Sequence, residues 1–300
     1  MNIQQAYYGL HFELAFRQAK GESFQKFFEQ LMGLAYKADF MACRPWGNQG
    51  DRKNDGFLKS EKRLFQVYAP NEMAASKAIK KIQTDFDGAK AYWGKHFNKW
   101  VFVHNAVEGL PPHVQKILLD FEKQNPGIAI EPWGLEEFKV IFRKLTSEDM
   151  ETWFGVVPTD ETKNHIGFKD LQVVLEAIAN QPVISSQPVK DVPTRKIEAN
   201  ALSENIVVLL KTGMTKASLV ESFFNQWHDI SFGERIATSF RNKYGELRMK
   251  FTPNQVFNEL LIWVGGGQRG AAEHELAVLS IVAYFFERCD IFEEPRSTQI

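Results

Sequence analysis

A chain of 300 residues with 44% hydrophobic and 24% charged side chains excludes wholesale disorder and is long enough for two hydrophobic cores. Its formal charge of −1 excludes the strongly basic balance that gives tight nonspecific DNA binding, though a local basic patch can still engage nucleic acid. Cys43 and Cys289 lack metal-ligand spacing and no apolar run approaches the roughly eighteen residues of a membrane span. The expectation is a cytoplasmic protein with reduced, buried thiols, no signal peptide and no membrane contact.

In chain order, residues 8–19 are apolar in a pattern that fits either a helix or a strand. Ser23 reads as an N-cap before Phe24, Phe27, Phe28, Leu31, Leu34 and Ala35, one apolar face at helical spacing. Residues 40–44 form a short strand stopped by Pro45, and 46–50 a loop. Residues 55–58 and 63–69 flank the polar 59–62 as the arms of a hairpin. The longest helical pattern covers 72–96. Residues 100–103 read as a strand covered on both faces, and Pro112 opens another helix. A strand at 128–130 and a helix over 135–145 follow. Hairpin strands that continue into helical crossovers predict an α/β fold, a mixed sheet between helices. One helix over 167–180 precedes a linker at 181–193. Beyond it only helical patterns occur, at 200–211, 216–228, 231–243, 254–263 and 271–289. The expected division is an α/β domain at 1–158, a linker with one helix at 159–196, and an all-α domain at 197–300. Twenty-five Phe, seven Trp and seven Tyr imply large buried side chains or an aromatic interface, and are compatible with a homo-oligomer.

Metal-dependent phosphodiester hydrolysis needs hard oxygen ligands around Mg²⁺ and a source of positive charge beside the phosphate. The first half offers Glu29 on the helix, Gly50 and Asp51 in the loop, Asp55 and Gly56 entering the hairpin, and Gln66 with Tyr68 on one face of the next strand. Each has an ordinary alternative. Asp51, Asn54, Asp55 and Gly56 suit turns, Glu29 suits a solvated helix face, and Tyr68 suits a core. Gln66 in an apolar strand is harder to explain, because a buried amide needs partners.

This order of residues resembles the Mrr-like branch of the PD-(D/E)XK nucleases, in topology over about residues 20–155 and in motif over 29–70. The resemblance implies a restriction-endonuclease-like fold acting on DNA, with Glu29, Asp51, Asp55 and Gln66 catalytic. Asp55, Gln66 and Glu29 would be the ligands of Mg²⁺ or Mn²⁺. Tyr68 stands where that family has lysine, and a phenol with a pKa of about 10 supplies no fixed positive charge. Lys53, Lys62, Lys77 and Lys80 are the candidate replacements, Lys77 and Lys80 one turn apart on the following helix. Two readings stay open: an endonuclease with a substitute lysine, or a degenerate core that binds nucleic acid or protein without cutting.

The seven histidines show no zinc spacing, and Gly265 to Gly270 lacks the ending of a phosphate loop. Leu276, Leu279, Ile281, Val282, Ala283, Tyr284, Phe285 and Phe286 make a helix apolar around most of its circumference, central to a bundle or docked on a partner. With Phe223, Phe224, the stretch 232–236 and the terminal Ile291 and Phe292, this half resembles the C-terminal domains of bacterial ABC-three-component conflict systems. The resemblance implies an antiphage effector whose helical half binds partners through Tyr284, Phe285, Phe286, Ile291 and Phe292. Those partners would be an SMC- or Rad50-like ABC ATPase and a small middle component.

Overall fold

Tyr8, Leu10, Phe12, Leu14 and Phe16 are all buried, each two residues from the last, which is the period of a strand. The chain nevertheless forms a helix, α1 (Ile3–Gln18). In a helix that spacing spreads apolar side chains around the whole circumference, so α1 is covered on nearly all sides. The computed structural model describes residues 1–43, 53–162, 168–179, 196–227, 229, 231–266, 271–288 and 290–293. Gly50, Asp51, the 181–193 stretch and Cys289 lie outside them. Two compact units make up the chain, one of Phe12–Trp153 and one of Met1–His11 with Phe154–Ile300.

In the first unit, α2 (Gly21–Tyr36) starts two residues before Ser23. The Ser23 hydroxyl accepts from the Lys20 N–H at 2.9 Å and donates to the Lys20 carbonyl at 2.7 Å. The serine thus closes the first turn from inside the helix. A five-stranded mixed sheet follows in the order β1 (Phe40–Ala42), β2 (Gly56–Leu58), β3 (Arg63–Tyr68), β4 (Lys99–His104) and β5 (Ala129–Trp133). The first three strands pair antiparallel and the last three parallel. The parallel strands need crossovers, supplied by α3 (Ala75–Trp93) and α4 (Pro112–Gln124). Ile82 and Phe86 of α3 and Val114 and Leu118 of α4 share one core with Leu64, Trp100 and Phe102.

The other face of the sheet belongs to α2 and α5 (Leu135–Phe142), where the Phe28 ring lies 5.3 Å from Phe65 and 6.0 Å from Phe138. The chain therefore leaves β4 toward one face and β5 toward the other. One further helix, α6 (Ser147–Phe154), was hidden by its polar sequence; its Trp153 ring lies 5.2 Å from Phe27.

The second unit is helical: α7 (Phe168–Ala179), α8 (Lys196–Ala199), α9 (Glu204–Met214), α10 (Ala217–Gln226), α11 (Phe232–Arg248), α12 (Pro253–Val264) and α13 (Ala272–Glu287). Every residue of α13 from Leu276 to Phe286 is buried, so this helix is the centre of the bundle. Gly213 lets α9 approach it: a Cβ at 213 would stand 2.6 Å from Ala283 Cβ and 2.8 Å from the Leu279 carbonyl oxygen. Gly213→Ala is expected to cost about 1–3 kcal/mol through forced separation of the helices, read as a lower midpoint in urea unfolding. The first residues of α1 belong to this bundle. The Tyr7 hydroxyl donates to the Glu275 carbonyl at 3.3 Å and the Tyr8 hydroxyl to the Gly155 carbonyl at 3.2 Å. Among the described residues no helix is long and apolar enough to cross a membrane.

Candidate functional site

β2 and β3 form an antiparallel pair in which Gly56 faces Phe65, and Asp55 sits one residue before β2. Its N–H donates to the Phe65 carbonyl at 2.9 Å, which extends the ladder and aims the side chain across at β3. One carboxylate oxygen, Oδ2, then accepts two hydrogen bonds at 2.6 Å, from the Val67 N–H and from Gln66 Nε2. Gln66 is 3% exposed and Asp55 4%, so this is a polar pair inside a core. Charge-assisted bonds of that length are the strong kind. Gln66 Oε1 is buried without a hydrogen-bond partner, as is Asn54 Oδ1 in the residue before Asp55. Buried carbonyl oxygens seldom stay unsatisfied. Gln66 Oε1 and the Asp55 carboxylate are the hard oxygen type that Mg²⁺ or Mn²⁺ takes, so that pair fits such an ion in kind.

The other expected site residues are distributed differently. Asp51 lies outside the described residues. Glu29 is half-buried on α2 and accepts from Gln25 Nε2 at 3.3 Å; α2 covers the Phe65 face of the sheet, whereas Gln66 shares its face with Leu64 and α3. Among the described residues no three His, Cys, Asp or Glu side chains gather as a metal-binding group. Tyr68 is half-buried with its ring 6.0 Å from that of Phe102, a packing tyrosine. Lys77 and Lys80 are exposed on α3, and Lys62 is exposed in the hairpin turn at φ +48°. Lys53 is different. Its backbone takes φ +65°, and its ammonium lies 3.1 Å from Asp85 Oδ1, while Lys81 Nζ lies 2.7 Å from Oδ2. Both ammoniums meet Asp85 outside hydrogen-bond direction, so the pairing is one of charge.

Asp85 is fully buried and was not singled out from sequence. A readable signal existed: an acid between Ile82 and Phe86 on the core stripe of α3, one turn after Lys81. The two lysines are the charges that such a buried carboxylate requires.

β4 ends in a second unanticipated residue. His104 is 4% exposed, and burial lowers its pKa to about 4, against the raising influence of Glu137. The unfolded chain has an ordinary histidine pKa of about 6.5, so it binds the extra proton between those values. The stability His104 lends the fold is therefore complete above about pH 6.5 and lost as the pH falls toward 4. Unfolding midpoints across this window should fall more steeply for the wild type than for His104→Gln. Parallel slopes would show that other groups carry the acid sensitivity.

In the helical unit, Tyr284, Phe285, Phe286, Ile291 and Phe292 are 7%, 0%, 1%, 1% and 5% exposed. The face expected to dock on a partner is instead the bundle's own core, because the surrounding helices cover α13 on all sides. The terminal turn is held from within. The buried Lys196 ammonium donates to the Phe286 carbonyl at 2.8 Å and lies 4.7 Å from the Phe286 ring centroid. Asn200 brackets the Glu293 backbone at 2.8 and 3.0 Å, and Arg241 reaches Asp290 at 2.6 Å. Burial raises the Asp290 pKa despite Arg241 and Arg288 beside it. Cys43 is half-exposed rather than buried.

No curated protein matches this chain, and no solved structure does. The helices from α7 onward are similar to a known family: residues 169–293 match the model of C-terminal domain 10 of the ABC-three component (ABC-3C) systems.

Proposed function

We propose that this chain is the effector of an ABC-three-component antiphage system, with a nuclease-type domain that hydrolyses DNA phosphodiesters in its sheet unit and a helical unit that joins it to the other components. The observation that supports the activity most is the buried Asp55–Gln66 pair at the head of the β2–β3 hairpin, with the Gln66 Oε1 acceptor left unsatisfied. The match over residues 169–293 supports the system. Asp55 and Gln66 would hold Mg²⁺ or Mn²⁺, with Asp51 as an auxiliary acid; Glu29, on the helix that covers the other face of the sheet, takes no part. The ion would supply Lewis-acid polarisation of the phosphate and an activated water. The Val67 N–H and Gln66 amide fix the carboxylate orientation before any ligand arrives, which lowers the reorganisation that binding costs. The near-zero charge fits a domain that meets DNA through its partners, an SMC- or Rad50-like ABC ATPase and a small middle component.

The lysines favour a second reading, a nuclease-type core that binds nucleic acid or protein without cutting. Tyr68 packs on Phe102, Lys77 and Lys80 are exposed, and Lys53 is charge-paired to Asp85. Plasmid nicking with Mg²⁺ in the presence of the partner proteins separates the readings. Cleavage by the wild type that is lost in Asp55→Ala supports the enzyme. Binding without cleavage under all metal conditions supports the adaptor.

A further inference from the structure

β4 and β5 are parallel neighbours, and their chains depart to opposite faces of the sheet, toward α4 and toward α5 respectively. Loops that diverge in this way cannot close on one another. A crevice opens at the carboxyl ends of the two strands, the place where open α/β sheets take ligands. Here it is a cleft of about 380 Å³ between the turn after β4 and the start of α5. Its walls bring together the carboxylates of Glu108, Glu136 and Glu137, apolar Val107 and Leu135, and the His104 imidazole, with no lysine or arginine.

His104 is the feature that points to a ligand. The ring is 4% exposed, yet Nδ1 has no hydrogen-bond partner, an uncommon state for a buried polar atom. Gly134 is what admits it: a Cβ at 134 would stand 2.6 Å from the His104 Cε1. The imidazole is uncharged at neutral pH, so it adds nothing to offset the acids. Of these, Glu137 accepts from the Gly134 N–H at 2.8 Å and Glu136 pairs with Lys139 at 3.0 Å. Lys139 is itself shared with Glu13 at 3.2 Å. Glu108 is exposed and has no ion-pair partner among the described residues. Anions are disfavoured in such a cleft. A bare metal ion is disfavoured too, since the acids and His104 do not gather as a ligand set.

We infer that the cleft between the ends of β4 and β5 binds a small organic cation, an alkyl ammonium or guanidinium. Its charged nitrogen meets Glu108 and Glu137, its stem lies on Val107 and Leu135, and a polar group at its inner end satisfies His104. This inference is independent of the nuclease reading.

Isothermal titration of the full chain with putrescine, agmatine and a blocked arginine amide tests it, with butanediol as the uncharged control. Saturable binding of at least one cation and none of the diol is expected. Glu108→Gln, an exposed change, should weaken binding by about tenfold or more. Gly134→Ala, whose Cβ would collide with the His104 ring at the cleft wall, should weaken it as well. Binding of a free amine alone assigns a small-molecule ligand, and binding of the blocked arginine alone assigns a side chain of a partner protein; each supports the inference. Absence of saturable binding by every cation, equal binding of the diol, or wild-type affinity in Glu108→Gln overturns it.

Discussion

Phe285→Ala is expected to destabilise the helical unit by about 3–5 kcal/mol, the range for removing a fully enclosed aromatic ring. The side chain has no exposed surface; its ring stacks on Phe240 with centroids 4.4 Å apart and meets Tyr284 at 5.2 Å and Phe224 at 6.0 Å. The surrounding bundle has little freedom to collapse, because Leu279, Ile281 and Val282 are equally enclosed, so most of the cavity should persist. In a unit of this size the loss corresponds to a fall in Tm of roughly 6–20 °C, followed by helical circular dichroism on the protein without partners. A docking role for Phe285 makes the opposite forecast, an unchanged melt with lost partner binding. A wild-type Tm would return the ring to the surface and refute its place in the core.

Asp55 carries the second large effect, and the choice of substitution decides what is measured. Alanine removes the acceptor of two buried donors, Val67 N–H and Gln66 Nε2. Each stranded donor costs about 1–3 kcal/mol, so lost cleavage in Asp55→Ala could reflect a loosened hairpin. Asparagine keeps a neutral acceptor of the same shape. Asp55→Asn should lose less stability than the alanine variant; on the proposed nuclease reading it should nevertheless lower Mg²⁺-dependent nicking by about a hundredfold or more, because the negative charge proposed to hold the cation is gone. Urea unfolding and nicking, measured together for both variants, separate the two contributions. Wild-type nicking by Asp55→Asn would remove this carboxylate from the chemistry.

The strands were legible because they are short apolar runs between polar turns, and the hairpin followed from the spacing of residues 55–58 and 63–69. Asp55 and Gln66 are joined as site residues through the resemblance of their motif order to a nuclease family, not through strand pairing. The helix at 3–18 was not legible, since a period-two pattern in an all-round buried helix imitates a strand. Neither were Asp85 and His104. A lone acid on an apolar stripe acquires meaning only when Lys53 and Lys81 are brought to it across the fold. His104 ends an ordinary buried strand, and the room for its ring depends on Gly134, thirty residues away in sequence but in contact in space. The aromatic residues of α13 showed the reverse problem. Their sequence pattern suits a core or an interface equally well, and only the placement of the surrounding helices selects the core.

The hydroxyl of Tyr7 finds its acceptor at Glu275, 268 residues later, and Gly9 lies against Asn205. During synthesis those early residues leave the ribosome long before their neighbours exist. The sheet strands can pair while the start of α1 waits with its apolar side chains uncovered, because domains generally fold as they emerge. Completion of the helical bundle is therefore tied to the making of α13, and a ribosome that stalls before it releases a chain with an unsheathed first helix.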